Sequence, residues 1–317
     1  MKVQSQETAH VGKFENRYIT ADGQPRASVA LRDPQTLWFN TGTLCNIECV
    51  NCYIASSPTN DALAYLTAAE IIDYLDQIQQ RGWPVREIGF TGGEPFMNPQ
   101  IIDMAGAALE RGYRVLILTN AMRPMMRDGM RSGLAALQRK HGSALCLRIS
   151  LDHYRAELHD SIRGKGSHAR TLEGMAWLRD NNITMTVAGR TIWQDSEAES
   201  RAGYARFFAA HGFNIDAHDP AQMVLFPEMD ETVKVPEITT SCWDILNVAP
   251  SSVMCASARM VVKRKGAKRP TVLACTLLPY SPEFELGETL AEAEGDVYLN
   301  HPHCARFCVL GGASCSG

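Results

Sequence analysis

Between residues 36 and 219 the hydrophobic and polar positions repeat with two different periods, which predicts strands alternating with helices. The predicted strands are 37–40, 87–90, 113–118, 145–151, 183–190 and 214–218. The helices start at Thr67 and near Asn98 and then cover about 124–141, 167–180 and 196–211. Six strand–helix units with short loops indicate parallel strands joined by right-handed crossovers, fewer than the eight of a closed TIM barrel.

The first helix carries its own start signal, because Thr67 and Glu70 match the capping-box spacing. The later strands alternate between an apolar and a polar face. We expect the apolar faces to meet the helices and the polar faces to line the interior, where a charged ligand would be held. The polar set includes Cys146, Arg148, Ser150, Thr184, Thr186, Arg190, Asn214, Asp216 and His218. Asp216 and His218 are candidates to bind substrate or move protons, and a structural role is an equal alternative.

Composition narrows the class of protein. The chain has 317 residues, 45% of them hydrophobic, which is enough for one large domain or two. Its formal charge of −4 argues against a nucleic-acid partner. The first ten residues lack the apolar core of a signal peptide, and no apolar run is long enough to span a membrane. We therefore expect a cytoplasmic protein whose ten cysteines serve metal binding or catalysis.

Three of these cysteines, Cys45, Cys49 and Cys52, follow the first predicted strand with C-x3-C-x2-C spacing. A short loop can bring three thiolates to one side of a 4Fe–4S cluster and leave one iron without a protein ligand. Structural zinc is the alternative, but it prefers four ligands, usually in two separated pairs. A chance cluster is a further alternative.

A second motif, GFTGGEP, follows the second predicted strand and contains Gly92, Gly93 and Glu94. Glycines let the backbone approach a ligand closely, and a carbonyl or carboxylate there can accept from an ammonium. In isolation this stretch would indicate only a turn. Because it lies downstream of the cysteine motif in the sequence, we interpret it as a ligand-binding loop.

Together the two motifs resemble those of the radical S-adenosylmethionine (SAM) enzymes. The resemblance implies a partial (βα)6 TIM-like barrel in which SAM chelates the open iron. It also implies reductive cleavage of SAM to a 5′-deoxyadenosyl radical, which abstracts a hydrogen atom from substrate. The resemblance assigns SAM contacts to Gly92, Gly93, Glu94, Asn120, Ser150 and either Arg163 or Arg190. One departure is Asn51, which stands where many members have an aromatic residue against the adenine.

The pattern changes after residue 219. We predict a lead-in over 1–36, the barrel over 37–219, a linker over 220–249 and a cysteine-rich domain over 250–317. The last region contains a predicted hairpin, 259–262 with 270–273, and resembles the Twitch/SPASM-type domains that hold an auxiliary 4Fe–4S cluster. Its implied ligands are Cys255, Cys275, Cys304 and Cys308, with Cys315 as a competitor.

If Cys315 completes the auxiliary cluster, Cys255 is released as a thiol that can donate a hydrogen atom, as epimerisation requires. Cys242 and Cys146 are weaker candidates for that role. An oxidation or cross-linking reaction would instead use the auxiliary cluster as an electron acceptor. These features fit a small-molecule substrate and a peptide substrate equally.

A basic run at the hairpin tip, Lys263 to Lys265 with Lys268 and Arg269, is either a solvated turn or a dock for an acidic electron donor of the flavodoxin or ferredoxin type. The alternative to an enzyme is a non-catalytic iron–sulfur electron carrier or a zinc-binding module. Such a protein would not cleave SAM.

Overall fold

A computed structural model describes residues 12–228 and 233–311. Its strands are β1 (Ser28–Val29), β2 (Thr36–Asn40), β3 (Glu87–Thr91), β4 (Arg114–Thr119), β5 (Leu145–Ser150), β6 (Thr184–Arg190), β7 (Met223–Phe226), β8 (Ala258–Val262), β9 (Thr271–Leu273), β10 (Glu285–Gly287) and β11 (Val297–Tyr298). Its helices are α1 (Ala68–Arg81), α2 (Ile101–Glu110), α3 (Asp128–His141), α4 (Ala156–Arg163), α5 (Ser167–Asp180), α6 (Glu197–His211) and α7 (Cys242–Leu246), followed by a π-helical segment, Cys304–Val309.

Strands β2 to β7 lie side by side in chain order, and each pair is parallel. This is the curved sheet of a partial (βα)6 barrel, as predicted. Helix α1 begins at the predicted capping box: the Thr67 side chain accepts from the backbone of Glu70, whose carboxylate accepts from the backbone of Thr67. The apolar residues of β5, Leu145, Leu147 and Ile149, are fully buried in the core shared with the helices.

The predicted sixth strand was wrong. Residues 214–218 form no strand, and the sixth parallel strand is β7, which pairs with β6 from Met223 opposite Val187 to Phe226 opposite Arg190. The Asp216 carboxylate accepts from the backbone N–H of His218. Asp219 accepts likewise from Ala221. These local side-chain bonds compete with a sheet ladder, and they end the extended conformation that the alternating pattern predicts.

The predicted C-terminal hairpin is present, and it extends the barrel sheet. Strand β8 is antiparallel to β9 and parallel to β2, so it lies directly beside the first barrel strand. At the other end of the chain, β1 pairs antiparallel with β11. The buried Arg26 guanidinium also forms an ion pair with Glu237, at 2.6 Å. The N-terminal segment therefore packs with the C-terminal region.

No helix in the described ranges combines the length and the apolar character that a membrane crossing requires.

Candidate functional site

A cavity of about 220 Å³ opens at the carboxyl ends of the barrel strands, and we call it the first cavity. Cys45, Cys49 and Cys52 all line it. The other lining residues used below are Asn51, Gly92, Gly93, Asn120, Arg148, Ser150, Asp152, Ile162, Arg163, Arg190, Thr276 and Leu277. This is the edge at which barrel enzymes carry their chemistry. The prediction that polar residues of the strands face inward is therefore confirmed for Arg148, Ser150 and Arg190.

Backbone hydrogen bonds from several parts of the chain hold the cysteine loop. Cys45 donates its N–H to the carbonyl of Ser57, at 3.0 Å, and Val50 donates to the carbonyl of Ile162, at 2.9 Å. The Tyr280 hydroxyl donates to the carbonyl of Ile54, at 2.7 Å. The loop is thus fixed by its own return segment, by α4 and by the C-terminal region, so its thiols are presented on a rigid frame.

The two glycines of the GFTGGEP motif are needed because the cysteine loop lies against them. Gly92 has φ +139°, and a Cβ at Gly93 would lie 2.3 Å from the carbonyl oxygen of Leu44. Gly93 donates its N–H to the carbonyl of Gly42, at 2.9 Å. We expected the glycines to make room for a ligand. The space they leave is filled mainly by the chain's own backbone, so they join the end of β3 to the cysteine loop.

Glu94 is fully buried and does not line the first cavity. Its carboxylate accepts from the Thr119 hydroxyl at 2.7 Å, from the backbone N–H of Asn120 at 2.9 Å and from that of Phe96 at 3.2 Å. Burial raises the pKa of this carboxyl above its ordinary value, and the hydrogen bonds oppose that shift. The structure thus uses the Glu94 side chain to tie β3 to β4, so this motif can meet a ligand through its backbone.

Asn120 follows β4 and is buried at the cavity wall. Its amide donates to Oδ1 of Asn46 at 2.9 Å, and its Oδ1 accepts from the backbone of Met122. Ser150 ends β5 at the same wall. Both residues line the first cavity, and their contacts with SAM stay a prediction.

Arg163 and Arg190 both line the first cavity, and each faces a carboxylate. The Arg163 Nε and Nη2 atoms donate to Asp152, at 2.7 and 3.0 Å. Arg190 Nη2 donates to Glu228 at 2.9 Å, and the other Glu228 oxygen accepts from Asn51 at 2.9 Å. Asn51 stands where many members of the resembled family have an aromatic residue. Its hydrogen bond to Glu228 joins the cysteine loop to the segment that follows β7.

Four predicted candidates lie elsewhere. Asp216 and His218 are exposed in the turn before β7 and do not line the first cavity. Cys146 is on β5 but outside the cavity lining, and Cys242 accepts from the backbone of Thr239 at the start of α7. The prediction that His218 faces the interior was wrong, because residues 214–218 form no strand and His218 is exposed.

A second, small cavity brings together four predicted metal ligands, Cys255, Cys275, Cys304 and Cys308. The remaining wall is apolar and consists of Val253, Met254, Phe284, Val297 and Leu299. Cys315, the competing ligand, lies outside the described residues. We call this space the second cavity. A set of four cysteines in an apolar wall is the donor chemistry of an iron–sulfur cluster.

Burial makes these thiols hard to ionise without a metal. It raises the pKa of Cys45 to about 12, and burial with the neighbouring Cys275 raises that of Cys255 to about 12. A bound metal reverses this, because thiolates are its ligands. Within the described ranges, no three His, Cys, Asp or Glu side chains converge on a single metal ion. The described cysteines of these two sets line the first and second cavities.

The basic run at the hairpin tip is largely paired within the chain. Lys263 contacts Glu70 at 2.5 Å and Lys265 contacts Asp61 at 2.6 Å. Arg264 pairs with Glu285 and Arg269 with Glu288. Because these cations face carboxylates of the same chain, the run presents less net positive charge to a partner than its sequence indicates.

Sequence reasoning missed Asp152, Thr276 and Leu277, which also line the first cavity. Asp152 continues the polar alternation of Arg148 and Ser150 by one more step, and that period was its signal. Thr276 and Leu277 directly follow Cys275 of the second cavity. No local pattern marks them, because they reach the first cavity only through the pairing of β8 with β2.

Comparison with known proteins decides the family. The family model of the radical SAM superfamily matches residues 39–196, about half of the chain and the part that contains both motifs. The chain belongs to the radical SAM superfamily. Its cofactors are accordingly a 4Fe–4S cluster and SAM, and the first cavity has the thiols and polar groups that such a pair requires.

Two curated relatives and one solved structure illustrate the likeness. The antilisterial bacteriocin subtilosin biosynthesis protein AlbA of Bacillus subtilis is 28% identical over 61% of this chain and 41% of its own length. The AdoMet-dependent heme synthase of Methanosarcina barkeri is 32% identical over 50% of this chain and 44% of its own. The chain thus spans less than half the length of these relatives.

The solved structure is Streptococcus suis SuiB bound to precursor peptide SuiA. It superposes with a TM-score of 0.58 at 13% identity and covers 84% of this chain and 66% of that one. At this identity the likeness shows a shared fold, which here extends beyond the barrel.

Proposed function

We propose that this radical SAM protein cleaves SAM reductively at the first cavity and abstracts a hydrogen atom from a peptide substrate. The observation that carries the proposal is the convergence of Cys45, Cys49 and Cys52 on one cavity that Asn120 and Ser150 also line. When bound, the cluster and SAM supply an electron and a hydrogen-abstracting group.

The chain's own residues would hold and orient SAM. Cys45, Cys49 and Cys52 would hold the cluster and would leave one iron for SAM. Gly92 and Gly93 line the same cavity, and the Glu94 carboxylate keeps the strand ends together. Asn120 and Ser150 offer polar contacts to the nucleoside, and an arginine offers its guanidinium to the SAM carboxylate.

A peptide is favoured over a small molecule by the relatives. AlbA belongs to bacteriocin biosynthesis, and SuiB has been solved with its precursor peptide. The heme synthase keeps a small molecule as the second candidate. Deuterium transfer from a labelled substrate into 5′-deoxyadenosine separates the two, because only the true substrate passes its label to the product.

We infer that the second cavity holds an auxiliary 4Fe–4S cluster on Cys255, Cys275, Cys304 and Cys308. Its closeness to the first cavity supports this role, since Cys275 and Thr276 are consecutive residues on the two walls. The external electron donor would be of the flavodoxin or ferredoxin type.

Anaerobic reconstitution with dithionite and SAM tests the function. We expect 5′-deoxyadenosine and about eight iron atoms per chain, four for each cluster. An iron-replete sample that forms no 5′-deoxyadenosine, even with cell extract as a source of substrate and donor, would contradict the proposal. About four iron atoms per chain would remove the auxiliary cluster alone.

A further inference from the structure

Helix α4 connects the cysteine loop to the end of β5. The carbonyl of Ile162, in its last turn, accepts from Val50, which lies between Cys49 and Cys52. The next residue is Arg163, whose side chain lines the first cavity. The Arg163 side chain therefore lies in the same cavity as the three thiols of the cysteine loop.

The Arg163 side chain is oriented by Asp152. Two parallel hydrogen bonds join Nε and Nη2 to the two carboxylate oxygens, and only 3% of the Asp152 side chain is exposed. A side-on pair fixes the plane of the guanidinium. Both bonded nitrogens lie on one edge of the fork, so the Nη1 edge is left for another ligand.

Asp152 is itself held from both sides through its backbone. Its N–H donates to Nδ1 of His159 at 3.2 Å, and its carbonyl accepts from the N–H of Arg190 at 3.0 Å. Burial and the nearby Arg163 charge lower the pKa of His159 to about 4, so the ring is neutral and can accept. These backbone contacts hold Asp152 in place between α4 and β6.

The other candidate, Arg190, is oriented less firmly. It makes one hydrogen bond to Glu228, whose side chain is 27% exposed. Although burial alone would raise the pKa of Asp152, the Arg163 guanidinium holds it below its ordinary value, so the Asp152 carboxylate is charged. These differences favour Arg163 over Arg190 as the carboxylate-binding group.

We propose that Asp152 is a positioning residue: it holds the Arg163 guanidinium side-on, so that the Nη1 edge of Arg163 binds the carboxylate of SAM. This inference rests on the proposed function. It assigns Asp152 a role in SAM affinity and selectivity, with no direct contact to the reacting atoms. Without the carboxylate, the guanidinium would keep its charge and lose its orientation.

The test is equilibrium binding of SAM and of decarboxylated SAM to the anaerobically reconstituted full chain. We expect Asp152→Asn to weaken SAM binding by about 10- to 100-fold, the size of charge-assisted hydrogen bonds. Its effect on decarboxylated SAM should stay within about threefold, because that ligand lacks the group that Arg163 binds. Iron content and the visible spectrum should match wild type.

Asp195→Asn is the matched control. Asp195 pairs with Arg155 at 3.3 Å and is not part of the first cavity wall, so both affinities should be unchanged. Equal weakening of both ligands in Asp152→Asn, or wild-type affinity for both, would overturn the positioning role while wild-type SAM cleavage still stands. A wild-type protein that neither binds nor cleaves SAM would instead refute the proposed function.

A second variant covers a failure of Asp152→Asn to fold. Arg163→Lys keeps the charge but lacks the planar fork. We expect the same loss selective for SAM over decarboxylated SAM. Wild-type SAM affinity in this variant would overturn the inference.

Discussion

The two cysteine-lined cavities differ in the number of thiols and in the character of their walls. The first has three thiols together with Arg148, Arg163 and Asp152. The second has four thiols and otherwise apolar residues. A cluster with all corners filled by cysteine needs little else from its surroundings. One that leaves a corner open for a charged ligand needs polar groups to bind and orient that ligand.

Despite this difference, the cavities share structure. Cys275 lines the second cavity, and the next two residues line the first. Thr276 also donates to the sulfur of Met254, a wall residue of the second cavity, at 3.7 Å. The comparison thus predicts two centres with separate tasks and a common wall, and each variant below is chosen to affect one of them.

The largest effect should come from Cys49→Ala in the first cavity. Loss of one of three thiolates prevents stable binding of the open-corner cluster, so 5′-deoxyadenosine should fall to the level of a protein-free control. Iron should fall by about four atoms per chain. Cys146→Ala is the control, since that thiol lies outside both cavities. If Cys49→Ala formed as much 5′-deoxyadenosine as wild type, the first cavity would not be the centre that cleaves SAM.

In the second cavity, Cys304→Ala should remove about four iron atoms per chain and leave SAM cleavage within about tenfold of wild type. The reason is that Cys304 lines the second cavity and is not among the residues that line the first. Cys242→Ala should retain all iron. Iron analysis beside a 5′-deoxyadenosine assay measures both quantities, and loss of both together would mean that the centres are not independent.

The frame of the first cavity is sensitive at Gly93. Gly93→Ala places a Cβ against the backbone of the cysteine loop and should lower the free energy of unfolding by about 3 kcal/mol. Gly129→Ala, in α3, meets nothing within 4 Å and should raise it by about 0.5 kcal/mol. Denaturant unfolding measures both. A neutral Gly93→Ala would show that the loop can move away from β3.

The smallest effect concerns pH at His159, which supports the first cavity only. Its pKa falls from an ordinary 6.5 to about 4 in the folded chain, because of burial and then Arg163. The unfolded chain therefore binds the proton first, and stability is complete above 6.5 and decreases as pH falls towards 4. The other groups that act on the ring are Asp152, His168 and Asp160.

Between about pH 7.5 and about pH 5.5, wild type should lose about 1 kcal/mol more stability than His159→Asn. Denaturant unfolding of both proteins at the two pH values gives this difference. Equal pH dependence would show that His159 is not held neutral, and it would weaken the account of how Asp152 is fixed.

The order of the barrel strands and the start of α1 could be predicted from sequence, because they depend on local periods and caps. The convergence of the three cysteines on one cavity could also be predicted, since they lie on one short loop. The same local reasoning predicted a strand at 214–218. Buried and exposed residues do alternate there, but the segment pairs with no strand, and the Asp216 carboxylate accepts from the backbone of His218. The same reasoning also missed α4, since none of the predicted helices covers Ala156–Arg163.

By itself, the sequence determined the candidates for the chemistry: three thiols after one strand, a glycine pair after the next, and cysteines near the end of the chain. Only the tertiary structure decided what surrounds them. The burial of Glu94, the side-on pair of Asp152 with Arg163, and the packing of the N-terminal segment against β11 join residues from separate elements. Such contacts depend on how strands pair and helices dock, and no period within a single segment encodes them.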